Sequence, residues 1–185
     1  MYHRVASEMA TVHNVMVRGI NGIYLQAPHV KPEDVKSFLG YAYCFYDLMD
    51  VHHRGEEQNI FPAIERMAGV PGLMAKNVEQ HHEFHAGLEE YGAYLKTCMD
   101  GKEEFDGKKL VDIIDRFGKG LTDHLRDEIP TLVGLEAYAK GREAEMADLE
   151  KMFNDESAKH MVSLFVLPSF SDIWLDDIDT SVVTL

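Results

Sequence analysis

Ala42-Tyr43-Cys44-Phe45-Tyr46-Asp47-Leu48-Met49-Asp50-Val51-His52-His53-Arg54-Gly55-Glu56-Glu57-Gln58-Asn59-Ile60-Phe61-Pro62-Ala63-Ile64 is the stretch on which the fold turns. Steps of three and four residues through it collect Ala42, Tyr46, Met49, His53, Glu57, Ile60 and Ile64, the spacing of one face of an amphipathic helix. One imidazole and one carboxylate interrupt an otherwise apolar stripe. Burying an unpaired ionised glutamate costs several kcal/mol, so an inward Glu57 needs a cation beside it. His52 and Glu56, about 100° further round a regular helix, are predicted to be solvated.

The same pattern recurs on either side of this stretch. A first helix over about 5–25 places Met9, His13, Met16, Val17, Ile20 and Tyr24 on one face. After Ala27-Pro28-His29-Val30-Lys31-Pro32, the second helix starts near Pro32-Glu33-Asp34 and reaches about residue 67, with a kink expected at Pro62. The turn Gly69-Val70-Pro71-Gly72 leads into a third helix ending near residue 99. Its stripe is Met74, Val78, His81, His85, Leu88, Gly92 and Leu95, with His82 off it. A polar loop from Asp100 to Gly107 precedes a fourth helix over about 108–128, whose stripe is Leu110, Ile114, Phe117, Leu121, His124 and Glu128. Pro130 is expected to stop that helix and to open a short fifth one reaching about residue 153. Strand-like alternation is nearly absent before residue 160. The expected fold class is therefore all-α: an antiparallel up-down four-helix bundle over residues 1–155, with an additional C-terminal helix. Residues 156–185 read as a separate tail. Val162-Ser163-Leu164-Phe165-Val166-Leu167-Pro168 suggests an extended strip, and Trp174, Asp176, Asp177 and Asp179 an irregular surface.

Composition narrows the function classes. A chain of 185 residues suits one domain with a full core. Its formal charge of −14 disfavours nucleic acid and anionic membranes, both of which reward a basic face. Cys44 and Cys98 form no CxxC pair, are expected roughly opposite the stripes of their own helices, and point to a reducing compartment without a disulfide framework. The polar start Met1-Tyr2-His3-Arg4 is unlike a secretory leader, and no run of apolar residues is long enough to span a bilayer. A cytoplasmic location is the resulting expectation.

The chemistry lies in the histidines. Pairs of the form HxxxE start at His29, His52, His53, His85 and His124, and the bare motif is cheap in so acidic a chain. Helix face is what separates them. His13 taken alone would read as a hydrogen-bonded core residue. With His53, Glu57, His81, His85, His124 and Glu128 it makes seven potential metal ligands converging from four helices, with no Lys or Arg on the stripes to neutralise the carboxylates. Met9, Met16, Met49, Phe117 and Leu121 read as core around them, and Tyr24 and Tyr46 as edge residues. His81-His82-Glu83-Phe84-His85 lacks the HExxH order of zincins, and Glu79-Gln80-His81-His82 supplies only one of the ExxH motifs that ferritin-like carboxylate sites need.

In order and spacing, His13, His53-xxx-Glu57, His81-xxx-His85 and His124-xxx-Glu128 resemble the hemerythrin family, the HHE cation-binding domain, and most closely its small stand-alone fungal-type members. The resemblance covers about residues 3–155. It implies two non-haem iron ions joined by an oxo or hydroxo bridge: His81, His85 and His124 on one, His13 and His53 on the other, Glu57 and Glu128 between them. Hemerythrin oxygen carriers place an aspartate five residues after the last histidine, where this chain has Ile129; Glu128 comes at four. The resemblance further implies dioxygen or peroxide as the small-molecule ligand. A protein that binds dioxygen or senses oxygen or iron is the leading expectation. A di-iron oxidase or peroxide-consuming enzyme is the first alternative, and an iron store or metal-stabilised interaction module the second.

Overall fold

The computed structural model describes residues 2–166 and contains no strand among them. Each amphipathic stripe forms a helix that buries its apolar face against its neighbours. The four long rods are α1 (Tyr2–Gln26), the continuous pair α2 (Val35–Gly55) and α3 (Phe61–Ala68), α4 (Ala75–Met99) and α5 (Gly107–Gly134). A π turn, Glu56–Ile60, joins α2 to α3, and two short 3₁₀ turns carry the chain from α1 to α2. α1 packs on α2 and α5, and α4 packs on α2 and α5. Consecutive rods are thus neighbours and the ring closes between the first and last, which is the up-down bundle. Beyond it, α6 (Glu136–Ala139) is a single turn, and α7 (Glu143–Val166) lies against α2 and α3.

Local chemistry sets the ends of the rods. Asp106 caps α5, its carboxylate accepting from the backbone N–H groups of Lys108 at 2.8 Å and Lys109 at 3.2 Å. Gly69, at φ 67°, terminates α3 in the left-handed conformation that residues with a Cβ avoid. Where α1 crosses α2, Gly19 admits the ring of Phe45; a Cβ there would stand 1.9 Å from Phe45 Cε2.

Two apolar clusters fill the bundle. One gathers Met16, Ile20, Ile23, Phe45, Met49, Phe84, Leu88, Tyr91, Phe117 and Leu121. The other gathers Val5, Met9, Ile60, Phe61, Ile64, Met74, Leu132, Met146 and Phe153. Between them, one to two turns from each cluster along every rod, runs a layer of buried histidine and glutamate.

Three expectations change. Pro130 does not stop α5, which continues to Gly134. An internal proline costs roughly 3 kcal/mol, but Leu132 and Leu135 beyond it are fully buried, at about 1.5–3 kcal/mol each. The strip from Val162 is helical as far as Val166 rather than extended, so α7 crosses the expected boundary at residue 155. Trp174, Asp176, Asp177 and Asp179 lie outside the described residues. Cys98 sits in the core on the inner face of α4, not opposite it.

Candidate metal centre

α1 supplies His13, α2 supplies His52 and His53, the π turn Glu56, α4 His81, and α5 His124 and Glu128. All seven are buried. No lysine or arginine is buried with them among the described residues. His13 donates from Nδ1 to the carbonyl of Leu125 at 2.7 Å, which turns its Nε2 inward. That Nε2 lies 3.2 Å from Glu128 Oε2 and 3.4 Å from His52 Nε2. On the other side, His81 Nε2 stands 3.0 Å from His124 Nε2 and 3.5 Å from Glu56 Oε2. The Nδ1 of His81 donates to Glu57 Oε1 at 2.8 Å, again leaving Nε2 with its lone pair facing inward.

The donors fall into two groups that share a member. His53, Glu56, His81 and His124 form one, His13, His52 and Glu56 the other, with ligand atoms in each within 4.8 Å of one another. Glu128 Oε2, 3.2 Å from His13 and 4.0 Å from His124, reaches both.

Hydrogen bonding leaves this layer unsatisfied. Both nitrogens of His53, Nδ1 of His124 and all four carboxylate oxygens of Glu56 and Glu128 have no hydrogen-bond partner among the described residues. Glu56 Oε1 is 3.0 Å from His52 Nε2, but without the alignment a hydrogen bond needs. Orphaned buried donors and acceptors cost about 1–3 kcal/mol each and are rare in folded proteins. Here they are concentrated at one point. Nitrogens of two imidazoles 3.0 Å apart have the separation of neighbouring donors that each lie about 2.1 Å from one ion. The set fits a pair of cations.

Electrostatics agree. Burial first, then neighbouring imidazoles, push His124 down to about 2; burial and then His13 push His52 down to about 3. His53 is driven well below its ordinary value by burial and four surrounding histidines. His81 is lowered by burial, against the pull of Glu57. These rings are held neutral, the form that binds a metal. Burial opposes charge on His13 too, but the Glu128 carboxylate, 3.2 Å from its Nε2, raises it overall. Burial lifts Glu56 to about 8 and raises Glu128 as well. Two carboxyls that resist ionising in a protein-only pocket are stabilised as carboxylates by a cation.

The structure brings together His13, His53, His81, His124 and Glu128 of the residues singled out from sequence, and leaves Glu57 and His85 outside. It corrects the expectation that His52 and Glu56 are solvated. A stripe drawn at constant helical period through Ile60 and Ile64 runs back to Glu57. The chain, however, takes up an extra residue between, where the Phe61 N–H bonds to Glu56 O, an i→i+5 step. Leading into that turn, the buried face of α2 includes Ala42, Phe45, Met49, His52 and His53, and Glu56, the turn's first residue, continues it. Glu57 sits at the rim, holding His81. On α4 the core face follows Asn77, His81, Phe84, Leu88 and Tyr91. That turns His85 out to an exposed position beside Glu89. Tyr46 donates to Glu89 at the bundle edge, at 3.3 Å.

The hemerythrin HHE cation-binding domain matches residues 4–135, and the chain belongs to that family. Among curated relatives it is 36% identical over 135 residues to the dimeric xanthone biosynthesis cluster protein R11 of Cryptosporiopsis sp. (strain 8999), across 72% of this chain and 51% of the relative. The chain thus spans about half the length of that relative. No solved structure matches it. No described helix is long and apolar enough to cross a membrane.

Proposed function

We propose that this chain is a non-haem di-iron protein that binds dioxygen, or senses oxygen or iron, through the buried layer. The observation that carries the reading is the shared carboxylate. Glu56 belongs to two donor groups at once, and Glu128 spans the same two, as carboxylates do between paired cations. His53, His81 and His124 serve one ion; His13 and His52 serve the other. When bound, such a pair supplies redox equivalents and an open coordination position for a small ligand. A mixed imidazole and carboxylate set suits iron.

The chain's own residues then do the positioning. The Leu125 carbonyl and the Glu57 carboxylate fix the tautomers of His13 and His81 and hold the rings on the centre. Met16, Met49, Phe84, Phe117 and Leu121 close the layer against water from one side, Met74 and Ile60 from the other.

A second reading, a di-iron oxidase of a small molecule, is favoured by a cleft of about 330 Å³ whose lining includes His53, His81 and Phe84. That volume accommodates a small organic ligand. The relative named for a xanthone biosynthesis cluster points the same way. Metal content per chain and the visible spectrum of the reduced protein before and after air separate these readings. Two irons with a reversible oxygen-dependent band support binding or sensing. Two irons that turn over an added organic substrate or peroxide support the enzyme. A chain without iron refutes both.

A further inference from the structure

Three metal-binding side chains stand apart from the buried layer. Asp50 on α2 and His85 and Glu89 on α4 bring their donor atoms within 4.8 Å of one another. Asp50 is half-buried and the other two are exposed. All three line the same cleft as His53 and His81. His85 Nε2 is 3.8 Å from Glu89 Oε1. Inward from them stands Glu57, 2.8 Å from His81 Nδ1. His53 forms part of the cleft wall while only 5% exposed, and neither of its ring nitrogens has a hydrogen-bond partner among the described residues. The cleft thus runs from a surface trio of donors to an unpaired buried imidazole.

We infer that Asp50, His85 and Glu89 form a capture site for a divalent cation, and that the cleft delivers the ion past Glu57 to the buried layer. The delivery step rests on the reading of that layer as a metal centre. Two carboxylates and one imidazole make a mixed set that divalent iron, manganese and zinc all accept. Exposure keeps such a site weak and quick to exchange. Arg54 adds to this by competing for Asp50, which it pairs with at 2.8 Å. Asp50, Glu57 and Glu89 outnumber Arg54 along the cleft. A cleft of one dominant sign concentrates counter-ions at its mouth. A cation entering through the apolar clusters above and below the layer would shed its water with nothing to compensate.

The test uses the metal-free full chain, ferrous iron without oxygen, and stopped-flow loading. The double variant His85→Ala/Glu89→Gln is expected to load at least about tenfold more slowly, the lower end of electrostatic steering, while reaching the wild-type iron content. Asp50→Asn is expected to slow loading as well. His82→Ala, which lies off the cleft, should load like wild type. Independently, Mn²⁺ titration of the iron-loaded protein, followed by the electron paramagnetic resonance of the free ion, should count one weak site that the double variant lacks. Unchanged loading, or an unchanged Mn²⁺ count, overturns the proposal. A lower final iron content in the double variant also overturns it, because His85 would then belong to the centre itself. A wild-type chain that takes up no iron refutes the buried centre instead. The Mn²⁺ count then decides the capture site alone: present, it stands; absent, it falls.

Discussion

Glu56→Gln should make the metal-free protein more stable and the metal-loaded protein poorer in metal. The Glu56 side chain is 2% exposed, and neither carboxylate oxygen has a hydrogen-bond partner among the described residues. Burial foremost lifts its carboxyl from 4.5 to about 8, so at neutral pH the metal-free fold holds it protonated, whereas the unfolded chain ionises it. Protonating a group of ordinary value 4.5 at pH 7 costs on the order of 3 kcal/mol, at about 1.4 kcal/mol per pH unit. A glutamine amide has the size of the protonated carboxyl and comparable neutral desolvation, and it needs no proton. The variant should therefore gain about 1–3 kcal/mol in urea unfolding at pH 7, while losing most of its bound iron, because an amide cannot bridge two cations as an anion. Glu57→Gln is the control: its side chain is 36% exposed and meets the layer at His81. It should change metal-free stability by less than about 1 kcal/mol and keep more iron than Glu56→Gln. A metal-free Glu56→Gln protein destabilised by more than about 1 kcal/mol, or one with full iron content, would refute the reasoning.

Acid should weaken the metal-free fold from about pH 6.5 downwards. His52, His53, His81 and His124 all have folded values below 6.5, so the unfolded chain binds protons that the fold refuses. Glu56, folded near 8, acts the other way between 8 and 4.5, as does Glu128 by direction. Urea midpoints should thus rise from about pH 8.5 to about 6.5 and fall again by about 4.5; a monotonic rise on acidification would contradict the buried neutral imidazoles. Chelation should lower the melting temperature, since a metal at a thousand times its Kd contributes about 4 kcal/mol; an unchanged melt would show that the layer holds no ion. Gly19→Ala should cost about 1–3 kcal/mol through its clash with Phe45, read by thermal melting at unchanged iron content.

Periodicity was a good guide wherever the helix kept one period. On α1 and α5 the stripes through His13 and through His124 and Glu128 are the buried faces. It failed on α2 because the π turn at Glu56–Ile60 shifts phase by about one residue, and nothing in Gly55-Glu56-Glu57-Gln58-Asn59 marks an i→i+5 bond before it is seen. The pair His52-His53 was the available signal: two adjacent imidazoles, each opening an HxxxE, both buried. On α4 the apolar spacing allowed two stripes. One runs through Val78, His85 and Gly92, the other through Asn77, Phe84 and Tyr91, and the second is the core. The aromatic rings decide that contest, since each buries far more apolar surface than a valine or a glycine.

The histidine and glutamate layer separates two apolar clusters that would otherwise form one core. Across it, the metal-free chain offers unpaired carboxyls and facing imidazoles where continuous packing would hold the halves together. Cooperativity between the two ends of the bundle must then pass along the helix backbones. Cations bound by residues from every rod would tie those ends into a single folding unit. Metal status would then be readable far from the centre, as the concerted or stepwise release of slow amide protons in α3 and at the opposite end of α4.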